Sequence, residues 1–384
     1  MHKAEGFSVT AAIAALFLGA PAAFAADREA LDARLQQAKP VECDVQCGDV
    51  ITQHTKLTHD LSCPGTDEPA LRIEGDGIVL DLGGHTVSRS GPERFNTRGV
   101  VVSGESMVRH GTIRGFGQGV RTVATGYLRL HELTFADNGV AVYNYTGNRF
   151  LVTHSRFIGN DFGFLSEFDV SSGSLDVRSS HFENNGQAIF LNSHSADVLD
   201  STFTSNEVAI NCFYGSTRVR SSVFTRNQAV ASAADPGQGP FLCDTLRFED
   251  SLLANNTSFG LQVVSNLAMV NNLLMGNDGG LAVKASTVYI HGNTFLDNAG
   301  GLTLSDSPIV AGQRLTGIVR ANRFLHNDGD GLRVLPPSTP TVIGNVAVGN
   351  TGWGIHAPTA YDGGGNVARN NGAGQCEGVT CAPY

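Results

Sequence analysis

The chain is short of charge. Of its 384 residues only 16% are charged, the formal balance is −10, and lysine occurs at just four places: Lys3, Lys39, Lys56 and Lys284. A groove on such a surface repels phosphate, which sets nucleic acid aside as a partner. An anionic polysaccharide would be repelled too, unless a local Arg cluster or a bound cation intervened. Past residue 25 there is no apolar run of spanning length, which excludes a transmembrane anchor. No CxxC pair or Cys/His cluster has the spacing of a zinc site.

What the sequence does contain begins with a targeting segment over residues 1–25. Lys3 supplies a basic start, Ala11 to Leu18 an apolar run, and Ala23-Phe24-Ala25 a small-residue cleavage site. The expected location is periplasmic or extracellular. Seven cysteines in an exported chain read as disulfides with one left over. Spacing suggests Cys376 with Cys381, Cys47 with Cys63, and Cys212 with Cys243, which leaves Cys43 unpaired. The 46 glycines suit a β-rich fold.

Between Phe135 and Asn371 one phrase recurs: a polar residue, two positions later an apolar anchor, then Asn three further on. The anchors are Phe135, Phe157, Phe182, Phe203, Phe224, Leu253, Leu274, Phe295, Phe324, Ala347 and Ala368, at steps of 21 to 29 residues. A period this short suits one coil of a solenoid rather than a helix pair or a propeller blade. Before each anchor an alternation such as Leu175 and Val177 marks a half-buried strand. After each Asn a second alternation, such as Ile189 and Leu191, marks another. The repeated Asn, and the Ser or Asn two before the anchor, form structural ladders because they recur in every coil. Degraded copies at Val87 and Ile113 bring the count to about thirteen coils. Residues 27–39 form a short amphipathic helix with Leu31 and Leu35 on one face, placed to cover the open first coil.

With this repeat in view the chain resembles the right-handed parallel β-helix repeat family, which includes pectate-lyase-like enzymes and NosD-like exported proteins. Cys47-Gly48-Asp49-Val50-Ile51-Thr52, Asp60-Leu61-Ser62-Cys63 and Leu80-Asp81-Leu82-Gly83-Gly84-His85-Thr86-Val87 are similar to the opening of such proteins. Gly363-Gly364-Gly365-Asn366 with Cys376 and Cys381 is similar to their ending. The fold implied is all-β: a single right-handed parallel β-helix over residues 71–372. A cap and first turn over 26–70 precede it, and a disulfide-closed tail over 373–384 follows. The resemblance implies a glycan partner and leaves activity open among lyases, hydrolases, epimerases and proteins without known activity. The Asp-rich signatures of polygalacturonase-like hydrolases are absent, and Ala234-Asp235-Pro236-Gly237 lacks the histidine of the alginate epimerases. No Met, Cys or His cluster supports a NosD-like role in metal assembly.

Function is then sought where the repeat is broken. Three coils are overlong at the same place, after the post-Asn strand: Phe168 to Gly173, Ala233 to Asp244 and Ser305 to Leu315. Loops leaving one edge in this way wall a binding face. Along that face the outward positions run Arg121, Tyr143, Leu165, Phe190, Asn211, Ser232, Gln262, Ala282, Thr303, Arg333, His356. Beside them run Val123, Tyr145, Glu167, Asn192, Phe213, Val264, Lys284, Ser305, Leu335. Tyr143, Tyr145, Phe190 and Phe213 are the expected stacking platforms for sugar rings, with Asn211 between them. Packing beneath the long loops would bury the same aromatics.

Glu167 and Asp169, two apart on one strand, place their carboxyls about 6–7 Å apart, close to the separation of an inverting glycosidase pair. Glu167 is the expected acid, Asp169 the expected base, and His194 an orienter or second base. Two solvated acids at a loop mouth would have the same spacing. Lys284 and Arg333, two coils apart, are the cations a lyase would use. No acidic cluster for Ca²⁺ lies within one coil of them, so no cofactor is assigned and no metal ligands are expected. His110 is expected to be a turn residue. The reading is an exported protein that binds or cleaves an extended polysaccharide, with a non-catalytic glycan- or protein-binding envelope protein as the alternative.

Overall fold

The structure, a computed structural model, describes residues 32–91, 95–166, 173–232, 234–235, 239–240, 243–259, 264–307 and 313–382. The leader assigned to residues 1–25 lies outside them. The chain forms two units, Met1–Lys39 and Pro40–Tyr384. In the first, residues 32–37 are helical and Leu35 is buried, while Leu31 is outside the described residues. The second is a parallel β-solenoid. Among the described residues no helix is long and apolar enough to cross a membrane.

Each coil has three strands. In a typical coil these are a pre-anchor strand Arg149–Thr153, an anchor strand Arg156–Ile158 and a post-Asn strand Phe162–Ser166. Every one pairs in parallel with its equivalent in the next coil: Leu151 with Asp176, Phe157 with Phe182, Leu165 with Phe190. The post-Asn strands from Asp49–Ile51 to Ala229–Ser232 make a nine-stranded sheet. The remaining strands join into one larger sheet, apart from the antiparallel pair Ala234–Asp235 and Gly239–Pro240, because Ser106–Arg114, Tyr127–Ala136 and Leu281–His291 each run through a corner unbroken. Val87 and Ile113 occupy anchor positions as expected, and Leu61 pairs with Val87 to add one more. The solenoid thus has about fourteen coils.

The anchors stack like on like because equivalent inward positions lie one strand spacing apart. Phe135, Phe157, Phe182, Phe203 and Phe224 form a continuous pile, with ring centroids 4.5–4.9 Å apart. Stacking at this distance adds to the burial of each ring. The Asn corner is a hydrogen-bonded ladder. Asn160 donates from Nδ2 to the Phe135 carbonyl at 3.1 Å and to Asn185 Oδ1 at 3.0 Å, and its own Oδ1 accepts from the Asn138 N–H at 3.0 Å. The same bonds recur down to Asn350 and Asn371. These bonds satisfy backbone groups that the corner removes from the sheet ladder. The polar residue two before the anchor does the same at the other corner, from Ser155 through Asn366.

The three expected disulfides are present: Cys47–Cys63, Cys212–Cys243 and Cys376–Cys381, with Cys43 free and half-buried. The outer face of the pre-anchor sheet carries cross-strand ion pairs, Arg220 with Asp197 at 2.9 Å and Arg218 with Glu249 at 2.7 Å. One alignment is corrected. Val264 pairs with Cys243 and Ala285 and is fully buried, so it opens a pre-anchor strand and is no part of the outward post-Asn column.

Candidate functional site

The post-Asn face is built by register. Arg121, Tyr143, Leu165, Phe190, Asn211 and Ser232 stand opposite one another in six successive coils. Ala282, Thr303, Arg333 and His356 continue the column in the later coils, and Glu377 follows His356. The register of the first expected column, from Arg121 to His356, is therefore reproduced wherever its residues are described. Glu167, Asp169 and Gln262 fall outside the described residues, as do parts of the three long loops.

At the first end of the face Arg121 lies over two rings, its guanidinium carbon 4.4 Å from the centroid of Tyr145 and 5.3 Å from that of Tyr143. Tyr145 is exposed, whereas Tyr143 is buried to the edge of its ring. The guanidinium spreads its charge over the π-faces and holds both phenols in place. Val123, two residues after Arg121, is exposed beside them. Two coils on, half-buried Phe190 meets Phe162 edge to face at 6.1 Å.

Next to this pair opens a cleft of about 570 Å³, whose lining includes Asp161, Phe162, Gln187, Glu207, Asn211 and Ser232. Gly186, between Asp161 and Glu207 in the corner column, leaves the floor bare. Asn211 is buried at the cleft wall and donates from Nδ2 to Gln187 Oε1 at 3.0 Å. Asp161, Gln187 and Glu207 are absent from the outward columns expected from the sequence. A signal for them exists, since Asp161 and Glu207 each follow a ladder Asn, but columns confined to the interior of the post-Asn strand stop short of that corner.

Two expected site residues are placed elsewhere by the structure. Phe213 is 1% exposed and packs edge-on against exposed Tyr214 at 4.9 Å. The loop strand Ala234–Asp235 lies against Val208–Phe213, and the Phe213 ring is not presented on the face. His194 is 2% exposed. Its Nε2 accepts from Asn144 Nδ2 at 3.1 Å and its Nδ1 faces the Asn192 carbonyl. Burial pushes its pKa down, against the raising effect of the Asn192 carbonyl. Gly173 presses on the ring, as a Cβ there would meet His194 Cδ2 at 2.4 Å. In this position the imidazole ties three coils together and has almost no solvent face.

The cations are at the other end. Lys284 and Arg333 are both exposed on the face. Arg333 Nη1 lies 3.6 Å from Asp330 Oδ2, and the His356 ring is flanked by Glu377 at 3.3 Å and stacked on Trp353 at 5.6 Å. The Cys376–Cys381 staple adjoins Glu377, fixing it opposite His356. The face thus has an aromatic end and a charged end.

A family model described as "Right handed beta helix region" matches residues 73–229 and 218–373. A search of curated proteins returns no match. Among solved structures the chain is similar to the catalytic domain of a GH87 alpha-1,3-glucanase in complex with nigerose. For a point variant of that domain the TM-score is 0.42 at 9% identity. For the other structure it is 0.39 at 11% identity. Both alignments cover 85% of this chain and 63% of the other.

Proposed function

The chain belongs to the right-handed β-helix family, and from that premise we propose that it binds an extended, uncharged polysaccharide along the outer face of its post-Asn strands. The observation that carries this reading is the unbroken column from Arg121 to Ser232. It joins a stacked Arg–Tyr platform to a polar cleft over about 24 Å at one strand spacing per coil. Rings on a rigid sheet give flat apolar area for sugar faces, and the cleft amides and hydroxyls suit sugar hydroxyls. Asp161 and Glu207 in the cleft, with the net charge of −10, disfavour an acidic chain. The three disulfides support an exported location.

Affinity electrophoresis of the full chain against neutral and acidic polysaccharides tests this. Retardation by a neutral glycan is expected, weakened about 3- to 10-fold in Tyr145→Ala, the equivalent of roughly 0.5–1.5 kcal/mol per stacking contact. Binding confined to acidic glycans, or neutral binding indifferent to both Tyr145→Ala and Phe190→Ala, would refute the proposal.

Hydrolysis of the same glycan is the second reading. Ser166 pairs with Asn144, both buried, at the end of the strands that carry this face, and the sequence continues directly to Glu167 and Asp169. With Glu167 as acid and Asp169 as base, the Glu167→Gln/Asp169→Asn double variant loses release of reducing ends while keeping glycan affinity. Undiminished release in that variant rules the pair out.

A further inference from the structure

A second cluster sits at a different corner, between the pre-anchor and anchor strands. There each coil places one residue at positive φ. From Ser179 onward the column holds Ser179, Asp200, Ser221, Asp250, Asn271, Gly292, Ala321 and Gly344, all small. In the three coils before it holds His110 (φ 56°), Glu132 (φ 51°) and His154 (φ 51°), of which Glu132 lacks the ease of Gly, Asn, Asp or His in this region. Register stacks them: Arg109 pairs with His131 and Gly111 with Leu133, so His110 faces Glu132.

The side chains converge. The Glu132 carboxylate lies 3.4 Å from His110 Nε2 and 3.4 Å from His131 Nε2. One donor atom from each of the three residues falls within 4.8 Å of the others. The far nitrogen of each ring is already engaged, His110 Nδ1 by Asp81 Oδ2 at 3.1 Å and His131 Nδ1 by Thr153 Oγ1 at 2.7 Å. Asp81 is buried and fixed by Arg109 Nε at 2.8 Å and the Gly83 N–H at 2.9 Å. A carboxylate that takes the Nδ1 proton of an imidazole leaves Nε2 as a bare lone pair, the arrangement by which metal-binding histidines are oriented.

We propose that His110, His131 and Glu132 bind a divalent transition-metal ion of the zinc class, oriented by Asp81 and Thr153. Metal–ligand bonds of about 2.0–2.2 Å in a tetrahedron set neighbouring ligand atoms about 3.4 Å apart, and each ring lies at that distance from one Glu132 oxygen, His110 from Oε2 and His131 from Oε1. Two imidazoles with one carboxylate suit zinc, cobalt or nickel better than the all-oxygen preference of Mg²⁺ and Ca²⁺. Three protein ligands leave one position for water, and Glu132 opens it to solvent. Arg109 and buried Arg129 add positive charge nearby, which moderates affinity. The site is independent of the glycan face.

The experiment uses the full chain on a histidine-free tag, stripped with chelator and titrated with ZnCl₂ against a chromophoric competitor. Co²⁺ titration follows, read by its visible absorption. One equivalent of zinc and a tetrahedral Co²⁺ spectrum are expected. His131→Ala and Glu132→Gln lose at least about 100-fold in affinity, and Asp81→Asn loses about 10- to 100-fold while retaining the Co²⁺ spectrum. His326→Ala, at an exposed histidine elsewhere, changes nothing. Circular dichroism in chelator separates loss of the site from loss of the fold; if His131→Ala misfolds, the exposed-site variant Glu132→Gln decides the same question. No zinc bound at about 100 μM, or a full equivalent retained by the His110→Ala/His131→Ala double variant, overturns the proposal.

Discussion

At both corners flanking each anchor strand a buried ladder residue follows a residue at positive φ, and these two kinds of position tolerate change very differently. After the anchor, Asn occupies the corner in coil after coil from Asn138 to Asn371, and every one is buried. Before the anchor, the outward residue at positive φ ranges over His, Glu, Ser, Asp, Asn, Gly and Ala. The difference is one of hydrogen bonding. A buried corner residue that serves its neighbours above and below admits a single chemistry, because any other leaves several groups unpaired. An exposed corner residue answers only to its own φ, so an unfavourable residue there needs a separate reason to be present.

The sharpest way to break the comparison is Asn206→Ala. Asn206 Oδ1 accepts from the Asn185 N–H and Nδ2, and Asn206 Nδ2 donates to the Phe182 carbonyl and Asn227 Oδ1, all at 2.9–3.0 Å. Alanine takes the side-chain partner from the Asn185 N–H and the Phe182 carbonyl, while Asn185 Nδ2 keeps the Phe157 carbonyl and Asn227 Oδ1 keeps the N–H of residue 206. At about 1–3 kcal/mol per unmet buried group, partly relieved by water, the expected loss is at least about 2 kcal/mol. The urea midpoint reads it. A loss below about 1 kcal/mol would mean that water fills the corner freely and that uniformity there has another cause.

A smaller effect comes from the exposed sheet beside the variable corner. Burial of Glu249 raises its pKa, but hydrogen bonds from Arg247 and Arg218 outweigh this and hold it below the usual carboxylate value. A group depressed in the folded state contributes stability above its unfolded pKa and loses it as pH falls through the folded value. Thermal midpoints taken from pH 6 down to pH 3 are expected to fall more steeply for the parent than for Glu249→Gln. Parallel curves would show that the ion pairs are too well solvated to matter.

The fold is most legible in the sequence where each coil repeats the last. Anchor positions, both polar ladders, the post-Asn column and the cysteine pairs can all be read there, because a period near twenty-one residues stacks like on like. Legibility fails where one coil departs from its neighbours. Their place in the period points Phe213 and His194 outward, yet both are buried, each in a coil next to an overlong one. His110, expected in a turn, lies instead at a corner within the unbroken strand Ser106–Arg114, with φ of 56°. The period of the post-Asn strands carries no information about its partners, since Glu132 and His131 stand one strand spacing away at the opposite corner.

The smallest predicted effect is the most discriminating one for the variable corner. Glu132→Asn places at φ 51° the residue that Asn271 already supplies at φ 55° in the same column. Asn populates this region several-fold more readily than other non-glycine residues, a preference worth about 0.5–1 kcal/mol. Measured in chelator, the variant should gain about that much in stability. In zinc the order should reverse, since the parent is stabilised by its ligand and the variant is not. A gain in chelator together with a loss in metal means that Glu132 is kept at this corner for its carboxylate, against the preference of the backbone. A variant less stable under both conditions would mean that Glu132 is held there by its contacts with the protein alone.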